Sequence, residues 1–469
     1  MSHSHKIKAV PARTVSALGK SLLIVLFMGI TGLLAGTARG QASETNPPKE
    51  MRLSLDDALQ MAREQNTQNR LAKEDIREMR SKYRETNALF LPQVSLEETA
   101  VSTNNPLNVF GSLLKQEVVT TADFNPATLN HPDRTENYTT SINVRQPLFN
   151  PSGIWGRQAL HKQLDATRLK KDRTRAYVDF QVKQTFYQLM LAGRRTGIID
   201  TALVAAKANY EQAKDFFKQG MVNRADLLSA EVRVKQLQSD HSEARNAQDN
   251  IQRQLAYLLG IDEQVQIHPD GKLAMPRVAQ PSANFEALLR QRSDLRALQY
   301  QVDATRKKLT SSKFNFVPSI NLFGSYEWND NTLLGTDANS YMVGATLRWD
   351  LFKGFKNVSS IEQSQVQLSK AKLHYHDQLR QNRMEVESQL NSLQTAREQV
   401  DIARATVAQA RESYRIRHNR YKQGMERMGD LLMAEATLSQ SKLKLASALF
   451  KYNVQAARVE LLLEKDIVD

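Results

Sequence analysis

Two hydrophobic periods alternate along the chain, and the whole alternation occurs twice. Leu55–Ala88 reads as helix. Two short runs with a period of two follow it. A very long helical stretch, Gly156–Phe217, comes next, and a second long helix, Asp226–Leu259, returns after Gly220. The same order recurs in Phe285–Ser311, a second pair of short runs, Val358–Tyr421, a turn at Gly424, and Asp430–Leu463. In the long segments Ile199, Leu203, Ala206, Tyr210, Ala213 and Phe217 step by four and three, as do Ala403, Val407, Ala410, Tyr414, Arg417 and Tyr421. Leu431, Leu438, Leu445, Tyr452 and Val459 lie seven apart, with Ala434, Ser441, Ala448 and Leu462 beside them. A repeat of 3.5 keeps one seam against a partner helix, so these helices should pair as coiled coils. At about 1.5 Å per residue, the longest should reach roughly 93 Å.

The duplication is also legible residue by residue. Residues 210–260 align with 414–464 without a gap, sharing Lys-Gln-Gly-Met and Asp-Leu-Leu-x-Ala-Glu. Val144–Phe149 matches Leu347–Phe352, and Leu91-Pro92-Gln93-Val94 matches Val317-Pro318-Ser319-Ile320. A period near 200 residues marks a duplicated domain rather than a solenoid. The expected division is a first repeat over 53–260, a linker over 261–283 marked by Pro269, Gly271, Pro276 and Pro281, and a second repeat over 284–464.

The short runs have one apolar and one polar side. Tyr341, Val343, Ala345, Leu347 and Trp349 alternate with Met342, Gly344, Thr346, Arg348 and Asp350, and Ile142 and Val144 alternate with Ser141, Asn143 and Arg145. That is the pattern of a barrel strand with lipid outside and water inside, or of a soluble hairpin packed on a helix. Glu97 and Glu98 blur the faces of the first strand. All three tryptophans, Trp155, Trp328 and Trp349, lie in or beside these runs, and aromatic side chains favour a membrane interface. Four strands cannot close a barrel in lipid, where open edges are not tolerated, so subunits would have to share one: two copies give eight strands and three give twelve.

Composition narrows the classes. There is no cysteine among the 469 residues, which removes disulfides, thiol catalysis and a cysteine-borne lipid anchor. Lys6, Lys8, Arg13 and Lys20 precede the apolar run Leu22–Leu34, and Ala38-Arg39-Gly40-Gln41-Ala42 offers cleavage near 40 or 42. Residues 1–42 therefore read as a secretory signal peptide. Five of the 64 basic residues leave with it, so the charge falls from +14 to 59 − 50 = +9. The remainder reads as solvated helix faces, and no nucleic-acid partner is expected. His374 and His376 do not share a helix face, and no phosphate loop or nucleophile elbow occurs. Neither catalysis, a metal nor a cofactor is expected.

In order and in detail the chain resembles the outer-membrane efflux protein family, the TolC-like outer-membrane factors. The resemblance rests on Leu53-Ser54-Leu55-Asp56-Asp57-Ala58-Leu59, the two Leu/Val-Pro strand starts, Pro147-Leu148-Phe149 with Asp350-Leu351-Phe352, and the two Gly-x5-Asp turns. It implies a mainly α fold with a small β part: a homotrimeric α-helical barrel joined to a 12-stranded transmembrane β-barrel in outer-membrane lipid, four strands per protomer. It implies a passive exit duct of a tripartite efflux or type I secretion system, reaching across the periplasm to a membrane-fusion adaptor and an inner-membrane pump or secretion ATPase. The contrasting expectation from the residues alone is a soluble periplasmic coiled-coil scaffold, or an adaptor protein.

The resemblance also assigns residues. The helix-reversing turns at Gly220 and Gly424 would lie at the periplasmic mouth. Asp430 falls on a constriction aspartate, while Met433 stands where a second is found, so a single ring of carboxylates is expected. Asp226 and Tyr421 match two partners of the closing latch; the arginine position holds Glu426, with Arg427 beside it. From the residues themselves, Asp226 and Asp430 read equally well as helix N-caps. Between Pro92 and Pro147 the first half carries 23 extra residues, near Asn104–Glu136, that could fold over a barrel mouth or pack on themselves.

Overall fold

Asn150 starts the first long helix: its Oδ1 accepts the Gly153 N–H at 2.9 Å, and Pro151 occupies the first turn, where no N–H is needed. No glycine or proline then interrupts the polar–apolar repeat strongly enough to stop it for 68 residues. Asparagine caps of this kind also start the helices after Asn66, Asn105, Asn125 and Asn223 in the computed structural model, which describes residues 50–276 and 285–465. The expected signal peptide, residues 1–42, and residues 277–283 of the expected linker lie outside those described.

In chain order the elements are β1 (Glu50–Leu53), α1 (Leu55–Gln65), α2 (Thr67–Glu85), β2 (Gln93–Thr103), α3 (Pro106–Lys115), α4 (Pro126–Asn130), β3 (Thr135–Phe149), α5 (Pro151–Lys218), α6 (Arg224–Leu259), β4 (Gln266–Pro269), α7 (Phe285–Gln291), α8 (Ser293–Lys313), β5 (Ser319–Asp330), β6 (Ala338–Arg348), α9 (Lys356–Lys422) and α10 (Met428–Leu463). The chain is mainly helical with a small β part, as the periodicity predicts. Both opening helical stretches are broken where the sequence reading had them continuous. Asn66 ends α1 and caps α2, its Oδ1 accepting from Gln68 and Asn69 while its Nδ2 donates to the Leu258 carbonyl at 2.8 Å. The corresponding break at Arg292 buries a guanidinium, paired with Asp294 at 2.7 Å.

The predicted seams are buried or half-buried except at Phe217, which is 40% exposed at the end of α5. Leu431, Tyr452 and Val459 are enclosed on α10, as are Ala206 and Ala213 on α5. Alanines at these positions let neighbouring helices approach closely. α5 pairs with α6 and α9 with α10, while α2 and α8 pack on the stretches of the long helices nearer the sheet. Arg233 of α6 crosses to Glu435 of α10 through two hydrogen bonds, at 3.1 and 3.2 Å, tying one hairpin to the other. A parallel pairing of β1 with β4 was not foreseen. It forms because Ile267 and Leu53 complete a core with Ala58, Phe186 and Leu255, so a stretch read as pure linker supplies a strand.

The four-stranded sheet has the order β2-β3-β5-β6, with every neighbouring pair antiparallel. Register opposes Leu96, Ile142, Tyr326 and Tyr341, and likewise Val94, Val144, Gly324 and Val343. A strand's side chains alternate between faces, so one face of the whole sheet is apolar and the other carries Ser95, Asn143, Arg145, Ser325 and Arg348.

Candidate functional site

The apolar face of the sheet is uncovered. Leu96 is 71% exposed, Val343 77% and Tyr341 78%. Soluble monomers rarely leave so many contiguous large apolar side chains open. The two faces also separate the paired acids of β2. Glu97 sits on the polar face. Glu98 sits on the apolar face at the level of Trp328, held by the Thr140 hydroxyl and by the Leu334 N–H at 3.4 Å. Aromatic rings mark both ends of this face. Tyr326 and Trp328 pack edge-on, 4.7 Å apart, toward one end; Trp349 donates its indole N–H to the Phe316 carbonyl at 3.0 Å at the other. Trp155 does not belong to this set: it lies in α5, stacked on Phe314 with the Lys307 ammonium 4.6 Å from its ring. Eleven residues of β6 at about 3.3 Å each, inclined near 45°, span roughly 26 Å, the height of an apolar barrel band. β2 and β6 are the sheet's outer strands, each with one side unpaired among the described residues.

The extra segment of the first half folds onto the polar face. Lys115, at the end of α3, reaches Glu327 at 3.9 Å, and Gln116 donates to Asn137 Oδ1 at 2.8 Å and to the Glu136 carbonyl at 2.9 Å. Asn137, Thr139 and Asn329 continue the network across two strands. Both expectations for this segment are met in part: it lies over one end of the sheet, and it packs on itself, with the Phe110 and Phe124 rings 5.6 Å apart.

At the opposite end of the molecule the long helices reverse. Gly220 and Gly424 both adopt φ of +71°, and each closes the same double bond: Met221 N–H to Phe216 and Gly220 N–H to Phe217, then Met425 N–H to Arg420 and Gly424 N–H to Tyr421. This six-to-one and five-to-two pattern needs a left-handed residue, which glycine takes without strain. The two turns adjoin, the Met221 methyl lying 3.8 Å from where a Gly424 β-carbon would be.

The caps differ from expectation. Asn223, not Asp226, caps α6, its Oδ1 accepting the Asp226 N–H at 2.8 Å; Arg427, not Asp430, is the extended residue before α10. Both aspartates sit three residues further on, in the first turn, where a negative charge faces the helix's free N–H groups. Tyr421 is buried against Phe216, with ring centroids 5.8 Å apart, and its hydroxyl has no hydrogen-bond partner among the described residues. Burial, reinforced by the charge of Asp226, pushes that hydroxyl up to about 12. The ion pairs of this turn lie elsewhere. Glu426 takes Arg417 at 2.9 Å and Arg420 at 3.0 Å, and Arg417 also stands 3.7 Å from Asp430. The sequence reading missed this clamp. Its signal was Arg417, a charged residue within an apolar seam.

An outward apolar sheet with unpaired edges, joined without a break to two long hairpins, coincides with what comparison finds. The family model described as Outer membrane efflux protein matches residues 58–261 and 285–463. The chain belongs to that family. Among its relatives is the alkaline protease secretion protein AprF of Pseudomonas aeruginosa, 22% identical over 334 residues that cover 69% of each protein. Another is the outer membrane protein TolC of Vibrio cholerae, 19% identical over 72% of this chain and 80% of that protein. The fold matches that of the Campylobacter jejuni CmeC outer membrane channel with a TM-score of 0.74 over 88% of this chain and 86% of that one, at 16% identity. Among the described residues no helix is long and apolar enough to cross a bilayer.

Proposed function

We propose that three copies close their sheets into one 12-stranded barrel in the outer membrane and that the helices below form a tunnel across the periplasm, giving a passive exit duct. The observation that carries this reading is the pair of unpaired edge strands on a sheet whose exposed face is apolar. In lipid each open N–H and C=O must find a partner, and β6 of one copy can supply it to β2 of the next. In this reading residues 1–42 are the export signal, residues 53–260 and 284–464 the two repeats, and 261–283 the belt between them.

The hairpin tip is then the periplasmic mouth, where an adaptor and, through it, an inner-membrane pump or secretion ATPase would dock. Three copies of Asp430 form its carboxylate ring. Asp226, Tyr421 and Arg427 are the residues through which neighbouring copies could hold it shut. Among the described residues the buried Tyr421 hydroxyl has no partner, so a bond between subunits there would require the turn to open. AprF is named for protease secretion and the family for efflux, and both need only a conduit, with no catalysis in this chain.

The test is reconstitution of the purified protein into planar bilayers. Discrete conducting steps are expected from a particle that enters membranes only with detergent. A protein that remains in the soluble periplasmic fraction and never conducts overturns the reading.

A further inference from the structure

Between the two hairpins, under residues 269–273, lies a cleft of about 590 Å³. Its roof is pinned: the Asp270 N–H bonds to the Leu53 carbonyl at 2.8 Å, Asn453 Nδ2 to the Ala274 carbonyl at 2.8 Å, and the Tyr452 hydroxyl to the Pro276 carbonyl at 3.2 Å. Its floor and walls are apolar, from Leu189, Ile198, Val407 and Leu449. Four cations enter it from four separate segments: Arg194 from α5, Arg411 from α9, Lys442 from α10 and Lys272 from the roof. No aspartate or glutamate lines it, and none of the four is ion-paired with a carboxylate among the described residues. Elsewhere on these helices basic residues regularly find an acid three or four positions away, as Arg415 does with Glu412. What sets these four apart is that they come from four separate segments to line one cleft.

We infer that this cleft binds a small multivalent anion, a di- or tricarboxylate or a phosphate compound, between Arg194, Arg411 and Lys442. Guanidinium groups take carboxylate and phosphate oxygens in paired bonds. The volume suits a small molecule. A lipid headgroup is ruled out by distance, since Arg194 stands 43 residues along α5 from Pro151, roughly 65 Å from the sheet. The mutual repulsion is independently visible: burial, then Arg411 and Arg194, hold the Lys442 ammonium below its usual range. An anion would neutralise that repulsion and fasten the first hairpin to the second.

Calorimetry on the full-length, detergent-solubilised protein with citrate and with inorganic pyrophosphate tests this, with acetate as the monovalent control. Saturable binding of at least one multivalent anion is expected, weakened about tenfold or more in Arg194→Gln/Lys442→Met, because each substitution removes a charge-assisted bond. Both side chains reach solvent and neither belongs to a hydrophobic core, so the double variant should fold; its elution volume checks this. Lys442→Met alone should raise the melting temperature without ligand and shrink the citrate-induced rise. Binding of neither anion, wild-type affinity in the double variant, or capture of an acidic peptide but neither small anion would each overturn the assignment. The readout does not involve conductance, so it stands or falls apart from the duct reading.

Discussion

The ring of Phe323 lies across Gly344 of the adjacent strand, so closely that a β-carbon on Gly344 would come within 2.6 Å of the ring's Cζ. Both residues belong to the polar face, where a large aromatic ring has room only because its neighbour has no side chain. Gly344→Ala should therefore force Phe323 away from the sheet and destabilise the β5–β6 pair by about 1–3 kcal/mol. The β signal in circular dichroism should melt at a lower temperature in this variant, and adding Phe323→Ala should restore most of the loss. No recovery in the double variant would show that the clash is not the cause.

Val343 distinguishes a membrane sheet from a soluble one. It is 77% exposed in the single chain, so an arginine there would scarcely disturb a water-soluble fold. Facing lipid near mid-depth, the same change opposes insertion by about 2–4 kcal/mol per subunit. Val343→Arg should lower the amount recovered in outer-membrane fractions, and unchanged recovery would count against lipid on that face.

Tyr421→Phe separates the hydroxyl from the ring. The ring packs with Phe216 while the hydroxyl is unpartnered, so protomer stability should change by no more than about 0.5 kcal/mol. If the hydroxyl bonds a neighbouring subunit, the variant should conduct more than wild type at equal stability. A strong loss of stability would mean that the hydroxyl has a partner within its own chain.

Asp430→Ala should lower the cation preference of the pore, read as a shift of reversal potential in a salt gradient. Arg417, 3.7 Å away, would remain engaged by Glu426, so the turn should stay folded. Unchanged selectivity would remove Asp430 from the constriction.

Asp294 links stability to pH. Burial opposes its charge, but the hydrogen bond and charge of Arg292, then the charge of Arg173, outweigh it and hold the carboxyl below its ordinary 3.8. A depressed value means that the stabilisation is complete above the unfolded value and is lost as pH falls through the folded one. Asp294→Asn should cost about 3 kcal/mol at pH 7, because Arg292 is left buried without its partner, and the gap to wild type should close below pH 3.8. Denaturant titrations at pH 7 and in acid measure both ends.

By itself the sequence determined the duplicated order, the long seams and the reversing glycines, because each is a local or strictly periodic constraint. Gly424 must take positive φ wherever its helix ends, and Leu431, Tyr452 and Val459 can only be buried together. Tertiary structure alone decided which side of β2 each of Glu97 and Glu98 faces, since register is fixed by the neighbouring strands. It also set the pairing of β1 with β4 across more than 200 residues, and the closing of Arg417 and Arg420 on Glu426. The convergence of Arg194, Arg411 and Lys442 belongs to the same class. Charges on separate helices meet only where packing places them, and a linear pattern carries no term for that distance.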